Sequence, residues 1–380
     1  MRRALLALLF VAVPSLARAQ VIGGHPSDDG KWPDAVAVMF GGQQECTGVL
    51  IAPNLALTAG HCADPQLDAV LVGANKISAP SQGEMIPVMK QVEYPNSQSS
   101  IDITLLILAS PSTKQPRTIA TGWARFDIAN GAQVALVGWG ATDANASQYP
   151  DAQQEAMTTI TDADCTTSSG CNTAARPNGE LGAGGMGIDT CPGDSGGPLY
   201  LVTSYGTFLA GTTSRSYDNA RSYCKDGGIY ERPDKIIDWI QQQSGVTLPV
   251  GPVPTADVLE AQSGKPSTGA ITTNDPKTGA THAFTITTMP MHGGATVDAN
   301  GVITYTSMNG YLGPDQLEVA VADASDAKRT LSVKIDVDVV PAMDADGCGC
   351  RSNRPTPGAL LPFFAAGLLA FRRRRRALSA

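Results

Sequence analysis

Six of the eight cysteines, Cys46, Cys62, Cys165, Cys171, Cys191 and Cys224, fall in one stretch of the chain, and the other two, Cys348 and Cys350, stand near its end. An even set confined to one block reads as a disulfide framework when the chain folds where thiols oxidise. The N-terminus points to such a place. Met1-Arg2-Arg3 is a positive leader, residues 4–13 are apolar, and Ala17-Arg18-Ala19 fits a small-x-small cleavage site, so residues 1–19 read as a secretory signal peptide. Three bridges and a separate terminal pair follow as the natural partition of the cysteines.

The C-terminal region, 342–380, carries a second signal. Cys348-Gly349-Cys350 precedes a Pro-containing spacer, an apolar run over residues 358–371 and the five arginines Arg372 to Arg376. That run is short for a bilayer span of about 20 residues, and the flanking positive charge would hold it on the cytoplasmic side during export. The order of elements resembles the myxobacterial-type C-terminal sorting signal. The resemblance implies processing near Cys348 or Cys350 by sorting machinery and retention on the outer cell surface, with a permanent membrane anchor as the alternative.

These signals change the charge argument. The formal charge is -8, but ten of the 27 basic residues lie in the two terminal segments with only Asp344 and Asp346 of the acidic ones, which leaves 17 against 33 acidic residues, a charge of -16. An acidic body lacks the basic footprint that nucleic-acid binding requires, so no nucleic-acid partner is expected. With 42% hydrophobic and 16% charged residues the chain is globular.

Two bodies lie between the signals. All four tryptophans and the six clustered cysteines belong to residues 21–245, and residues 255–341 contain neither type. The proline-rich segment 246–254 reads as a stiff extended linker. In the first body short apolar runs alternate with turns: Pro53-Asn54 separates two of them, Tyr205-Gly206 centres a hairpin, and residues 233–243 form the one expected helix, with Ile236, Ile237 and Ile240 on one face. Many short strands with little helix imply a barrel or sandwich. In the second body Leu331, Val333, Ile335, Val337 and Val339 alternate with polar residues, the pattern of a half-buried strand. Asn300-Gly301 predicts a two-residue hairpin turn. Such a block suits an immunoglobulin-like sandwich. Met289-Pro290-Met291-His292-Gly293-Gly294 and Asn309-Gly310-Tyr311-Leu312-Gly313 resemble bacterial Ig-like or cadherin-like repeats.

Three motifs in the first body carry chemistry. In Leu57-Thr58-Ala59-Gly60-His61-Cys62, a bridge from Cys62 to Cys46 across a strand-turn-strand would fix the loop holding His61, as a general base requires. His25, His282 and His292 have no such setting and read as surface or packing residues. Asp102 stands among strand-forming residues, Ser100-Ile101-Asp102-Ile103-Thr104-Leu105, where an unmet carboxylate would cost several kcal/mol. A histidine N–H would meet it and leave the other ring nitrogen free to take a proton, while a strand-edge aspartate facing water is the plainer alternative. In Asp189-Thr190-Cys191-Pro192-Gly193-Asp194-Ser195-Gly196-Gly197-Pro198, glycines flank a serine on a tight turn that can expose Oγ and aim the amides of Gly193 and Ser195 at a developing oxyanion.

Together with Val21-Ile22-Gly23-Gly24, Trp32-Pro33, Gly138-Trp139-Gly140 and Asp238-Trp239-Ile240, these motifs resemble the chymotrypsin-fold, trypsin-like serine endopeptidases. The resemblance implies an all-β, double six-stranded β-barrel followed by the β-sandwich. It implies His61 as base and then acid, Asp102 as its orienter, Ser195 as nucleophile, and Gly193 and Ser195 as oxyanion hole. Asp189 would lie at the base of the specificity pocket, where an unpaired carboxylate favours Lys or Arg, and Gly228-Ile229-Tyr230 would form one wall. Ser214-Arg215-Ser216 departs from the family's usual Ser-Trp-Gly, placing a side chain at the pocket mouth and a positive charge near the substrate. Val21, freed of Gln20, would pair with Asp194. No zinc spacing and no acidic calcium loop over residues 71–88 are present, so no cofactor is expected. The partners implied are protein or peptide substrates. The competing reading is a catalytically inactive protease-like binding module, which the intact set of motifs disfavours.

Overall fold

The computed structural model describes residues 21–175 and 178–342. Residues 1–19, expected to be a signal peptide, Gln20 and the segment with Cys348 and Cys350 lie outside the described residues. A short strand β1 (His25–Pro26) leads into six strands: β2 (Ala35–Phe40), β3 (Gln43–Ala52), β4 (Leu55–Ala59), β5 (Leu67–Val72), β6 (Glu84–Glu93) and β7 (Ile103–Leu108). They close into an antiparallel barrel in the order β2-β3-β4-β7-β6-β5. A second six, β8 (Gln133–Gly138), β9 (Gln154–Asp162), β10 (Glu180–Ala183), β11 (Pro198–Thr203), β12 (Gly206–Ser216) and β13 (Gly228–Glu231), runs β9-β10-β13-β12-β11-β8 and closes through β8 on β9, with β1 added to β9. The helix α1 (Ile237–Ser244) follows, preceded by a 3-10 turn at Pro233–Lys235.

Both faces of many barrel strands are buried, which hides the alternation that a half-exposed strand shows. Val36, Val38 and Phe40 of β2 share a cluster with Leu50, Val70 and Leu106 inside the first barrel. Ala35, Ala37 and Met39 join Leu105, Ala135, Val137, Trp139, Tyr200 and Ile240 in the layer between the barrels and α1. Val134, Leu136, Leu199 and Leu201 fill the second barrel. One set of alternate residues fills a barrel and the other joins the barrels, so the two barrels and the helix share the layer between them.

The second body is a sandwich of two four-stranded sheets. The first contains β14 (Thr255–Ala256), β16 (Pro266–Thr272), β18 (Gly293–Val297) and β19 (Val302–Ser307). The other contains β15 (Leu259–Gln262), β17 (His282–Thr288), β20 (Gly313–Asp323) and β21 (Asp326–Val340). Leu331, Val333, Ile335, Val337 and Val339 all face its core, as their alternation requires. The turn between β18 and β19 differs from the two-residue expectation. It spans residues 298–301, because Asp298 Oδ1 accepts from the amides of Asn300 and Val302 and so starts the reversal two residues early.

The segment over residues 246–254 is not a free spacer. Leu248 is buried in the inter-barrel layer, Gly251 N donates to Thr121 Oγ1 at 2.7 Å, and Trp123 N donates to Pro252 O at 2.7 Å. Prolines keep the strip extended, and backbone bonds hold it along the surface of the first body.

Candidate active site

The first barrel sets the spacing between His61 and Asp102. β4 pairs with β7 so that Ala59 lies opposite Ile103, which brings the 3-10 turn Gly60–Cys62 against Asp102 just before β7. The Cys46–Cys62 bridge ties that turn to β3. His61 Nδ1 lies 2.8 Å from Asp102 Oδ2, and His61 N donates to Asp102 Oδ1 at 2.8 Å. Ser214 Oγ donates to Asp102 Oδ2 at 2.7 Å. Burial opposes ionisation of Asp102, but the hydrogen bond and charge of His61 and the Ser214 hydroxyl outweigh it and hold the carboxyl below its ordinary value.

The second barrel supplies the serine from the turn before β11. Ser195 Oγ lies 2.8 Å from His61 Nε2. Gly193 has φ +97°, and a Cβ there would stand 3.0 Å from Gly140 Cα, so both conformation and space call for glycine. The carbonyl of Gly193 is anchored by Thr47 Oγ1 at 2.8 Å and Gln44 Nε2 at 3.0 Å, and Thr47 N donates to Ser195 O at 2.9 Å. Strand β3 of the first barrel therefore holds the serine loop of the second. Among the described residues the amides of Gly193 and Ser195 have no protein acceptor, while those of Asp194, Gly196 and Gly197 do. Two adjacent free donors beside a serine hydroxyl form a receptor for an oxyanion.

Asp194 is fully buried, with Oδ1 accepting from Gly140 N at 2.7 Å and Oδ2 from Cys191 N at 2.9 Å. Burial pushes its carboxyl up to about 7. Val21 is also fully buried, and Ile22 bridges to Asp189.

A cavity of about 180 Å³ opens beside Ser195, lined by Thr190, Cys191, Pro192, Thr213, Ser214, Arg215, Ser216 and Tyr223. Ser216 Oγ stands in that lining and donates to Tyr223 O at 2.8 Å. Asp189, directly before Thr190 of that lining, is 1% exposed, and its carboxylate is not unpaired. Oδ1 accepts from Thr190 N at 2.8 Å, and Oδ2 accepts from Lys225 N and Gly227 N, both at 2.9 Å. A buried carboxylate needs donors, and the loop before Gly228 provides them. Burial still prevails and pushes the carboxyl up to about 6, with nearby Asp226 adding to the rise. Arg215 stands in the lining, where a positive charge near the substrate is expected, but its charge is paired. Its guanidinium turns to Glu180 Oε1 at 2.6 Å and Glu231 Oε1 at 3.4 Å.

Bridges join Cys165 to Cys171 and Cys191 to Cys224, the latter pinning the serine loop to the loop that caps Asp189. Sequence reasoning missed Thr47, Gln44, Glu180 and Glu231. Glu231 left a weak signal, a carboxylate directly after the apolar pair Ile229-Tyr230; Thr47 left none, because its role depends on a neighbour 146 positions away.

The family model described as Trypsin matches residues 21–240, more than half of the chain, and that described as Bacterial Ig domain matches residues 250–336. A relative, chymotrypsin-like elastase family member 1 of Macaca fascicularis, is 29% identical over 239 residues, covering 59% of this chain and 89% of the relative.

Proposed function

Because the chain belongs to the trypsin family, and is a serine endopeptidase of the chymotrypsin fold with protein or peptide substrates, we propose that His61, Asp102 and Ser195 are its catalytic triad and that it cleaves after Lys or Arg. The observation that carries the triad is the unbroken line from Ser195 Oγ through His61 to Asp102, beside the free amides of Gly193 and Ser195. Ser195 Oγ attacks the scissile carbonyl carbon while its proton passes to His61 Nε2, and the carbonyl oxygen becomes an oxyanion held by the two amides. The tetrahedral adduct expels the amine, which takes the proton from His61 and leaves an acyl-enzyme. Water, deprotonated by His61, then attacks the ester and releases the acid and Ser195.

Asp189 supports the preference for basic residues, since it is the buried carboxylate directly before Thr190, which lines the cavity beside Ser195. A second reading, cleavage after small uncharged residues, is favoured by Ser216 in the cavity lining and by the three amides that cap Asp189. Hydrolysis of peptide amides that differ only before the scissile bond separates the two, using protein beginning at Val21 and Ser195→Ala as control. Turnover confined to Arg and Lys is the expected result; turnover confined to Ala or Ser supports the second reading. No turnover and no labelling by an organophosphonate would favour the inactive binding module. We also propose export by the signal peptide and retention on the cell surface through the tail. Mass spectrometry of both termini of the protein recovered from the surface tests this, with termini at Val21 and near Cys348 or Cys350 expected.

A further inference from the structure

Behind Asp102 lies a buried ionic cluster, and the catalytic steps above leave it unused. Glu180 of β10 is 2% exposed and Glu231 of β13 is fully buried, and with Asp102 they bring three carboxylates into one region. Burial, reinforced by the charges of Glu180 and Asp102, pushes the Glu231 carboxyl well up, with Arg215 opposing. Arg215 on β12 is the cation that the two glutamates share. Its Nη2 donates to Glu180 Oε1 at 2.6 Å and Gly170 O at 2.8 Å; its Nη1 donates to Ser214 Oγ at 3.1 Å and lies 3.4 Å from Glu231 Oε1.

The contact with Ser214 has a specific consequence. A serine hydroxyl carries one proton and accepts at its lone pairs. With the guanidinium occupying the acceptor side of Ser214 Oγ, the remaining O–H points at Asp102 Oδ2, 2.7 Å away. The two glutamates and the Gly170 carbonyl fix the guanidinium in turn, so the hydroxyl is oriented from behind by a rigid fork.

We propose that Arg215 is a positioning residue: braced by Glu180, Glu231 and Gly170, it locks the Ser214 hydroxyl as a donor to Asp102 and through Asp102 holds His61 in the orientation that takes the Ser195 proton. The inference rests on the reading of His61, Asp102 and Ser195 as the triad. It differs from a substrate-binding role, which Arg215 could fill from either cavity it lines, the one of about 180 Å³ beside Ser195 or the one of about 560 Å³ beyond His61, and which would show in KM.

The test is a double-mutant cycle of Arg215→Met and Ser214→Ala, read with an N-acetylated single-residue amide that carries nothing into the larger cavity. Each single variant lowers kcat by about 5- to 20-fold with KM unchanged, and the double variant stays within about twofold of the slower single. Losses that multiply in the double variant, a change confined to KM, or a kcat within twofold of the parent in Arg215→Met would each overturn the proposal. Thermal unfolding checks that the variants fold. If Arg215→Met does not fold, Arg215→Met with Glu180→Gln removes cation and anion together and is judged in the same cycle. The Ser195→Ala control keeps the two claims apart: full activity in it removes the triad, whereas its inactivity with a multiplicative cycle removes only the role of Arg215.

Discussion

At the residue scale, two buried aspartates give the clearest pH signatures. The Asp189 carboxyl stands at about 6 and gains its charge as pH rises through that value. On the reading that it attracts Arg or Lys, the ratio of kcat/KM for an Arg substrate to that for an uncharged one rises about tenfold from pH 5 to pH 7. Taking the ratio cancels pH effects common to both substrates, and Asp189→Ser should flatten it; a flat ratio in the parent protein would remove Asp189 from specificity. For Asp194 the folded value of about 7 lies above the ordinary 3.8. Its contribution to stability is therefore fully present below about pH 4 and is lost as pH rises through 7. An ammonium at Val21 would reverse the loss by pairing with the anion. Protein beginning at Val21 should then be more stable at pH 8 than protein beginning at Gln20, by about 4 kcal/mol at most, and the gap should narrow below pH 7. Denaturant unfolding of the two forms measures it, and equal stabilities at pH 8 would exclude the pairing.

At the element scale, the site depends on a few ties between a turn and the strand beside it. The Cys46–Cys62 bridge closes a loop of 16 residues that begins in β3 and ends at the turn carrying His61. Replacing both cysteines by Ala should cost about 3 kcal/mol and lower kcat, since the turn loses its covalent tie to β3. Chemical denaturation and initial rates check the two effects separately. This tie was legible in the sequence, because the cysteines flank one strand-turn-strand. The tie from Thr47 to the Gly193 carbonyl was not, because a threonine in a strand gives no sign of a partner in the other barrel. The turn at Asp298 shows the same limit on a local scale. Asn300-Gly301 marked the reversal, but its length was set by a side chain two residues earlier.

At the scale of the whole molecule, the sandwich is docked on the protease body. Trp123 is fully buried, belongs to the sandwich's core cluster, and donates Nε1–H to Thr273 O at 2.7 Å. Asp127 pairs with Arg329 of β21 at 2.7 Å. A tryptophan of one body that sits in the core of the other makes the sandwich part of the protease's folding unit. Trp123→Ala should cost about 3–5 kcal/mol and split one thermal transition into two. A single unshifted transition in calorimetry would show that the bodies are energetically independent.

The sequence by itself determined the chemistry and the class of each body: residues local in the chain carry the His61, Asp102 and Ser195 motifs, and alternation marks β21 as a half-buried strand. Only the tertiary structure decided what each charged group meets. Asp189 could be recognised by its place before the serine, yet its three capping amides come from both neighbouring and distant backbone. Arg215 could be seen to depart from its family, but the two glutamates that pair with its guanidinium lie 35 and 16 residues away. Motifs survive in a sequence because their spacing is covalent. The partner of a buried charge is chosen by desolvation, which acts only once the barrels have closed around it.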